Sequence, residues 1–144
     1  MQNLNGSRLV LGGVTSGVIV FALLAITNTA ILGAVWEDWL AIAKPVFPMP
    51  YQNISIGLWA GQSIIAGLVG TFIYAAIKDW IGAKLRASYV SGLLVWAVGW
   101  LGLSLDKLAI GVESEKTIYY NLLAALLGCL IGQFVASHIY KDRA

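Results

Sequence analysis

The 144-residue chain contains one cysteine, one histidine and three prolines, and charged residues make up only 11% of it. Soluble domains carry about 25% charged residues, so a globule of this composition lacks the polar groups needed to cover its surface. One cysteine excludes an intrachain disulfide and a thiol pair. One histidine beside it excludes a Cys/His metal cage or a bis-histidine haem site built from one chain. What the chain has in abundance is apolar: 59% hydrophobic residues and a mean hydropathy of +0.81. The remaining class is an integral membrane protein forming one compact unit.

The few charges mark out the architecture. None falls between Arg8 and Glu37, Lys44 and Lys78, Arg86 and Asp106, or Lys116 and Lys141. A spanning helix needs about 20 predominantly apolar residues, and each of these gaps supplies them. Pro45, Pro48 and Pro50 break helix at the start of the second gap. The pattern predicts an all-α membrane protein with four transmembrane helices near 9–35, 54–77, 86–105 and 117–140, one domain over 1–144 and an outer loop over 36–53. The first apolar run is much longer than the roughly 7–15 residues of a signal-peptide core, so it is read as a retained helix.

Counting Lys and Arg in the short loops gives the orientation. Arg8, Lys78, Lys84, Arg86, Lys141 and Arg143 lie on one side, and Lys44, Lys107 and Lys116 on the other. Both termini are therefore expected in the cytoplasm, N-in and C-in. A faint echo relates the halves: Ser16 to Ala22 resembles Ser91 to Ala97, and Gly70 to Ile73 resembles Gly132 to Val135. That pattern fits a tandem repeat of one helical hairpin in parallel orientation.

Lipid offers little hydrophobic drive between helices, so close backbone approach matters more. Small residues recur at helical spacing: Gly13 and Gly17, Gly57 and Gly61, Gly67, Gly92, and Gly128 and Gly132. These are the expected packing positions, against one another or against a partner. Thr15, Asn28, Gln62, Asn121 and Gln133 should face away from lipid. Their spread along the helices favours interhelical glue over a ligand path.

Catalytic chemistry is hard to find. Apart from Arg86 at the very edge of the third, no predicted span contains Asp, Glu, Lys or Arg, whereas proton-coupled transporters keep ionisable groups there. The chain is not expected to be an enzyme, for want of any catalytic constellation. No basic stripe suggests nucleic acid. Asp106-Lys107 is read as a local charge pair or helix terminus. His138, at the last turn of the fourth helix, reads either as an interfacial histidine or as an axial ligand to a haem or (bacterio)chlorophyll at a subunit interface. In the second case Gly128, Gly132 and Ala136 would supply a flat face. A lipid is the other candidate occupant of such an interface.

The first outer loop is the most individual segment. Residues 36–43 can form a short amphipathic helix, and the Pro-rich remainder is stiff and extended. Trp36, Trp39, Phe47 and Tyr51 are the candidate partner-docking residues, against the alternative of a simple cap over the bundle.

The chain resembles a family of small bacterial four-helix membrane proteins with no assigned activity. The resemblance rests on Leu9 to Gly13 with Gly17, Trp36 to Trp39, Tyr74 to Ile77 followed by Gly82, Trp96, and Tyr140. It covers about Arg8 to Tyr140, with more polar residues in the first helix and a Pro-richer outer loop here. It implies the fold and a bacterial inner membrane, cytoplasmic or photosynthetic, and no site residues. The expected function is a structural or accessory subunit of a larger membrane complex, respiratory or photosynthetic, with lipids and other integral subunits as partners. The alternative is a small homo-oligomeric transporter or channel using Gln62, Asn121 and Thr27 to Thr29.

Overall fold

A computed structural model describes residues 4–43, 52–111 and 113–142. They form α1 (Gly6–Ile31), α2 (Gly33–Ala43), α3 (Gln52–Ile81), α4 (Lys84–Ile110) and α5 (Glu115–Ile139), with no strand among the described residues. Four of them, α1, α3, α4 and α5, are long and apolar enough to cross a membrane.

The boundaries follow local chemistry more than charge. Asn5 caps α1 by accepting from the Arg8 N–H at 3.2 Å, and Ser114 caps α5 by accepting from Thr117 at 3.2 Å. Such caps satisfy N–H groups that have no partner inside the helix. α3 continues through Lys78 and Asp79, and α4 through Asp106 and Lys107, beyond the ends expected from the charge gaps. What stops them is a glycine in the left-handed region, Gly82 at φ 72° and Gly111 at φ 70°, where a Cβ would be strained. The first span is shorter than expected, because the chain breaks at Leu32 and residues 33–35 open α2.

Around the bundle the order is α1, α3, α4, α5. α1 packs on α3 and α5, α4 packs on the same two, and α3 also meets α5 across the middle. The closest approach is between α1 and α3. A Cβ on Gly17 would stand 2.5 Å from the Ile64 Cα, and one on Gly13 2.7 Å from the Leu68 Cα. A Cβ on Gly67 would run into the backbone of Gly13 and Gly17. On the other side Gly128 meets the Val20 Cα, Gly132 meets Ser16, and Gly92 meets the Cys129 carbonyl. Gly57 and Gly61, expected on the same kind of face, have nothing within 4 Å of a Cβ position. They sit before the stretch of α3, from Ser63 to Leu68, that meets Gly13 and Gly17.

The two hairpins bury the same positions. In α1 these are Gly12, Gly13, Ser16, Gly17 and Val20, and in α4 Ala87, Ser88, Ser91, Gly92 and Val95, at identical intervals. In α3 they are Ser63, Gly67, Gly70, Thr71, Tyr74 and Ala75. These match Ala125, Cys129, Gly132, Gln133, Ala136 and Ser137 of α5. Gln133 ties three helices together: its Nε2 donates to the Ser16 Oγ at 3.0 Å and to the Gly67 carbonyl at 3.3 Å. Its Oε1 is buried with no hydrogen-bond partner among the described residues.

The end carrying the termini is closed by a polar clasp. Tyr140 packs edge-on against Tyr74, ring centroids 6.1 Å apart, and its hydroxyl donates to Asp142 at 3.0 Å. Lys78 pairs with both Asp79 and Asp142. The Lys78 ammonium, first by its hydrogen bond, holds the Asp142 carboxyl below its ordinary 3.8. A depressed folded-state value stabilises the clasp above the ordinary carboxylate pKa, and the contribution is lost as pH falls through the depressed one. Carboxyl NMR of Asp142 is expected to show a midpoint below 3.8, and Lys78→Met should return it to that value. An unchanged midpoint in the variant would mean that Lys78 does not hold the tail.

Candidate functional site

The opposite end of the bundle is open. There α1, α3, α4 and α5 surround a cleft of about 250 Å³, room for about eight waters at roughly 30 Å³ each. Two breaks in helical regularity shape it. The last turn of α1, Thr27–Ile31, and a turn within α4, Ala97–Leu101, are both π-helical. Such turns insert a residue into the α-helical ladder and re-aim the side chains around them.

In α1 the local sequence accounts for the change. Asn28 donates to the Leu24 carbonyl at 2.8 Å and Thr29 to the Ala25 carbonyl at 2.8 Å. Side-chain groups that return to the preceding turn compete with the backbone ladder and bend helices. The Leu32 N–H then reaches back to the Thr27 carbonyl at 3.0 Å. The result points Asn28 at α5, where its Nδ2 donates to the Asn121 Oδ1 at 2.7 Å. Its own Oδ1 accepts from the Trp36 indole N–H at 2.8 Å. One carboxamide therefore fastens α1 to α5 and draws α2 over the cleft.

The remaining walls are aromatic and neutral. Trp59 and Gln62 face the cleft from α3, and Trp100 and Ser104 from α4. Phe21, Leu24 and Ile118 make its apolar side. Trp96 stands just behind, its indole donating to the Leu122 carbonyl at 3.0 Å. The lining charges are Lys107 and Glu113, which pair at 2.5 Å across the Gly111 turn. Lys107 therefore answers Glu113, in the turn that precedes α5, rather than its neighbour Asp106. Towards mid-bundle Val20, Val95 and Cys129 form the floor.

Asn28, Gln62 and Asn121 thus share one cavity within one chain, although the sequence reading set them at different depths. Thr27 is buried and Thr29 bonds its own helix. Of the docking candidates, Trp36 belongs to the cleft; Phe47, Tyr51 and the Trp39 side chain lie outside the described residues. His138 is on the exposed face of α5 at the far end, with Nδ1 2.9 Å from the Phe134 carbonyl and its ring 4.6 Å from the Phe134 ring. The flat face proposed beside it does not exist: Gly128, Gly132 and Ala136 are covered by α1.

Sequence reasoning passed over Trp100, Ser104 and the Lys107–Glu113 pair. A signal for Trp100 was present, in the Trp96-x-x-x-Trp100 spacing that stacks two indoles on one face of a helix. The π turn that aims the second of them leaves no comparable mark in the sequence. Comparison with protein-family models, curated proteins and solved structures finds no match to this chain.

Proposed function

We propose that this chain is a non-catalytic, multi-pass protein of the bacterial inner membrane that binds a small solute in the cleft at its periplasmic end. The excess of Lys and Arg at the end of the bundle that carries the termini supports a cytoplasmic position for both. The large apolar side chains exposed along all four long helices suit a lipid surround. The observation that carries the binding role is the cleft itself, in which three indoles and three carboxamides converge at the mouth of the bundle. Ligand sites are concave, mostly apolar and furnished with a few placed polar groups.

A second reading, an accessory subunit of a larger respiratory or photosynthetic complex, draws on α4. Only 11% of its span is buried, against 44% for α5, so α4 presents the broadest face to a neighbour. Gly13, Gly17, Gly67, Gly92, Gly128 and Gly132 are used inside the bundle, which leaves Gly57 and Gly61 as the open pair for such a contact. The homo-oligomeric transporter or channel would need a ring of chains, since the floor of the cleft is closed.

One variant tests these readings. Cys129 is buried at 2% exposure, so a thiol introduced by Ser104→Cys is the reactive one. It is expected to react with a membrane-impermeant maleimide applied to the periplasmic side of cells. Reaction only from the cytoplasmic side would reverse the topology, and reaction from neither would mean that the cleft is not an open site. The same labelled protein, extracted in mild detergent, reports native mass. Migration within a much larger complex supports the subunit reading, and a small particle counts against it.

A further inference from the structure

We infer that the cleft recognises a quaternary ammonium group. This rests on the solute-binding reading above and goes on to name the chemistry of the occupant.

Three observations converge. Trp36, Trp59 and Trp100 line one small cavity, and the indole face is the best side-chain partner for a cation. A cation without N–H groups suits such walls, because it needs no hydrogen-bond acceptor and loses little hydration on entering. The hydrogen-bonding capacity of Asn28 is also largely spent, on Leu24, Asn121 and Trp36.

The second observation is electrostatic. Among the described residues, the cleft end carries Glu37, Asp38, Asp106, Glu113 and Glu115 against Lys107 and Lys116. The opposite end carries Arg8, Lys78, Lys84, Arg86 and Lys141 against Asp79 and Asp142. A negative rim raises the local concentration of cations and their rate of entry. The third observation concerns Lys107, whose charge would otherwise repel such a ligand. It is held by Glu113, which is the more buried of the two at 15% exposure against 49%. Glu113 thereby neutralises the positive charge in the lining. The same ammonium chemistry could arrive as a free solute such as choline or as a phosphocholine headgroup, and the test separates them.

The full-length protein carrying Ser104→Cys is reconstituted in nanodiscs of phosphatidylglycerol, and choline is titrated while maleimide modification is followed. Choline is expected to slow modification saturably, and its uncharged isostere 3,3-dimethylbutan-1-ol should do so at least tenfold less well. Two charge variants move the result in opposite directions: Glu113→Gln frees the Lys107 charge and should weaken choline about tenfold, whereas Lys107→Gln should tighten it. Trp59→Leu should weaken choline by a similar factor, with Trp59→Phe, which keeps a ring, intermediate.

Phosphatidylcholine nanodiscs identify the source. Protection already present there, and no longer increased by choline, assigns the headgroup; unchanged choline titration assigns the free solute. Equal protection by the uncharged isostere, or charge variants that leave choline unmoved, overturns the ammonium assignment while keeping the cleft as a binding site. A thiol at position 104 that never reacts, with or without choline, is instead the failure of the cleft reading itself.

Discussion

Gly17→Leu is expected to destabilise the bundle strongly, while Gly61→Leu on the facing helix leaves its stability nearly unchanged. Both residues belong to small-residue motifs of the same form, and sequence alone treats them alike. The structure separates them: a Cβ at 17 stands 2.5 Å from the Ile64 Cα and 2.7 Å from the Ser63 carbonyl, and a Cβ at 61 meets nothing within 4 Å. At the α1–α3 crossing the obstacle is backbone, which cannot rotate away as a flexible side chain would. Overpacking of this kind costs about 1–3 kcal/mol and occasionally more, and the three further carbons of leucine put Gly17→Leu at the upper end. Surface substitutions away from such features stay within about 0.5 kcal/mol. Thermal unfolding in detergent, followed by near-ultraviolet circular dichroism, is the measurement. A Gly17→Leu protein that melts with its parent would mean that α1 and α3 do not cross here.

The second large effect lies in the carboxamide pair that builds the cleft. Asn28→Leu or Asn121→Leu alone is expected to destabilise the protein by about 2 kcal/mol, because each leaves the other amide deprived of its partner in a partly buried place. The double variant should cost less than the sum of the two, since replacing both partners with apolar groups removes the orphaned group as well. Its binding should not recover. Without Asn28 the Trp36 indole loses the Asn28 Oδ1 as an acceptor, and α2 is held less firmly over the cleft. Choline protection of the thiol placed by Ser104→Cys is therefore expected to be absent from both single variants and from the double one. Strictly additive stabilities would show that the two amides are not coupled across the α1–α5 interface.

How far the sequence reaches can be traced through particular residues. The four spans are visible because placing a charge in hydrocarbon is so costly that the chain spells out its crossings by omission. Their ends were less visible, since Lys78 and Lys107 sit near helix termini where long side chains can reach outward. The stop signals were Gly82 and Gly111, whose left-handed conformation no hydropathy count detects. Spacing identified Gly13, Gly17, Gly67, Gly92, Gly128 and Gly132, but it could not say which faces met. That depends on how the helices are placed, and Gly57 and Gly61 fall before the stretch of α3 that α1 touches. The cleft was the least legible feature. Asn28 and Asn121 are far apart in sequence, and only the packing of α1 against α5 brings them into one cavity with Gln62.

The shared burial pattern of the two hairpins has a consequence for how this sequence can drift. At matched positions of α1 and α4 the residues stay small while some types change, Gly12 to Ala87 and Gly13 to Ser88, and others are kept, as in Ser16 and Ser91, Gly17 and Gly92, Val20 and Val95. α3 and α5 match less closely, with Tyr74 standing where α5 has Ala136, so what the halves share most is thinness along α1 and α4. Selection on such an interface acts as a gauge that passes anything thin enough, so the bundle can persist while its letters are exchanged. The mouth of the cleft lies outside that gauge. There the halves part company, with a π turn following the last matched valine by seven residues in α1 and by two in α4. A scaffold whose buried pattern repeats acquires a direction where its two ends differ.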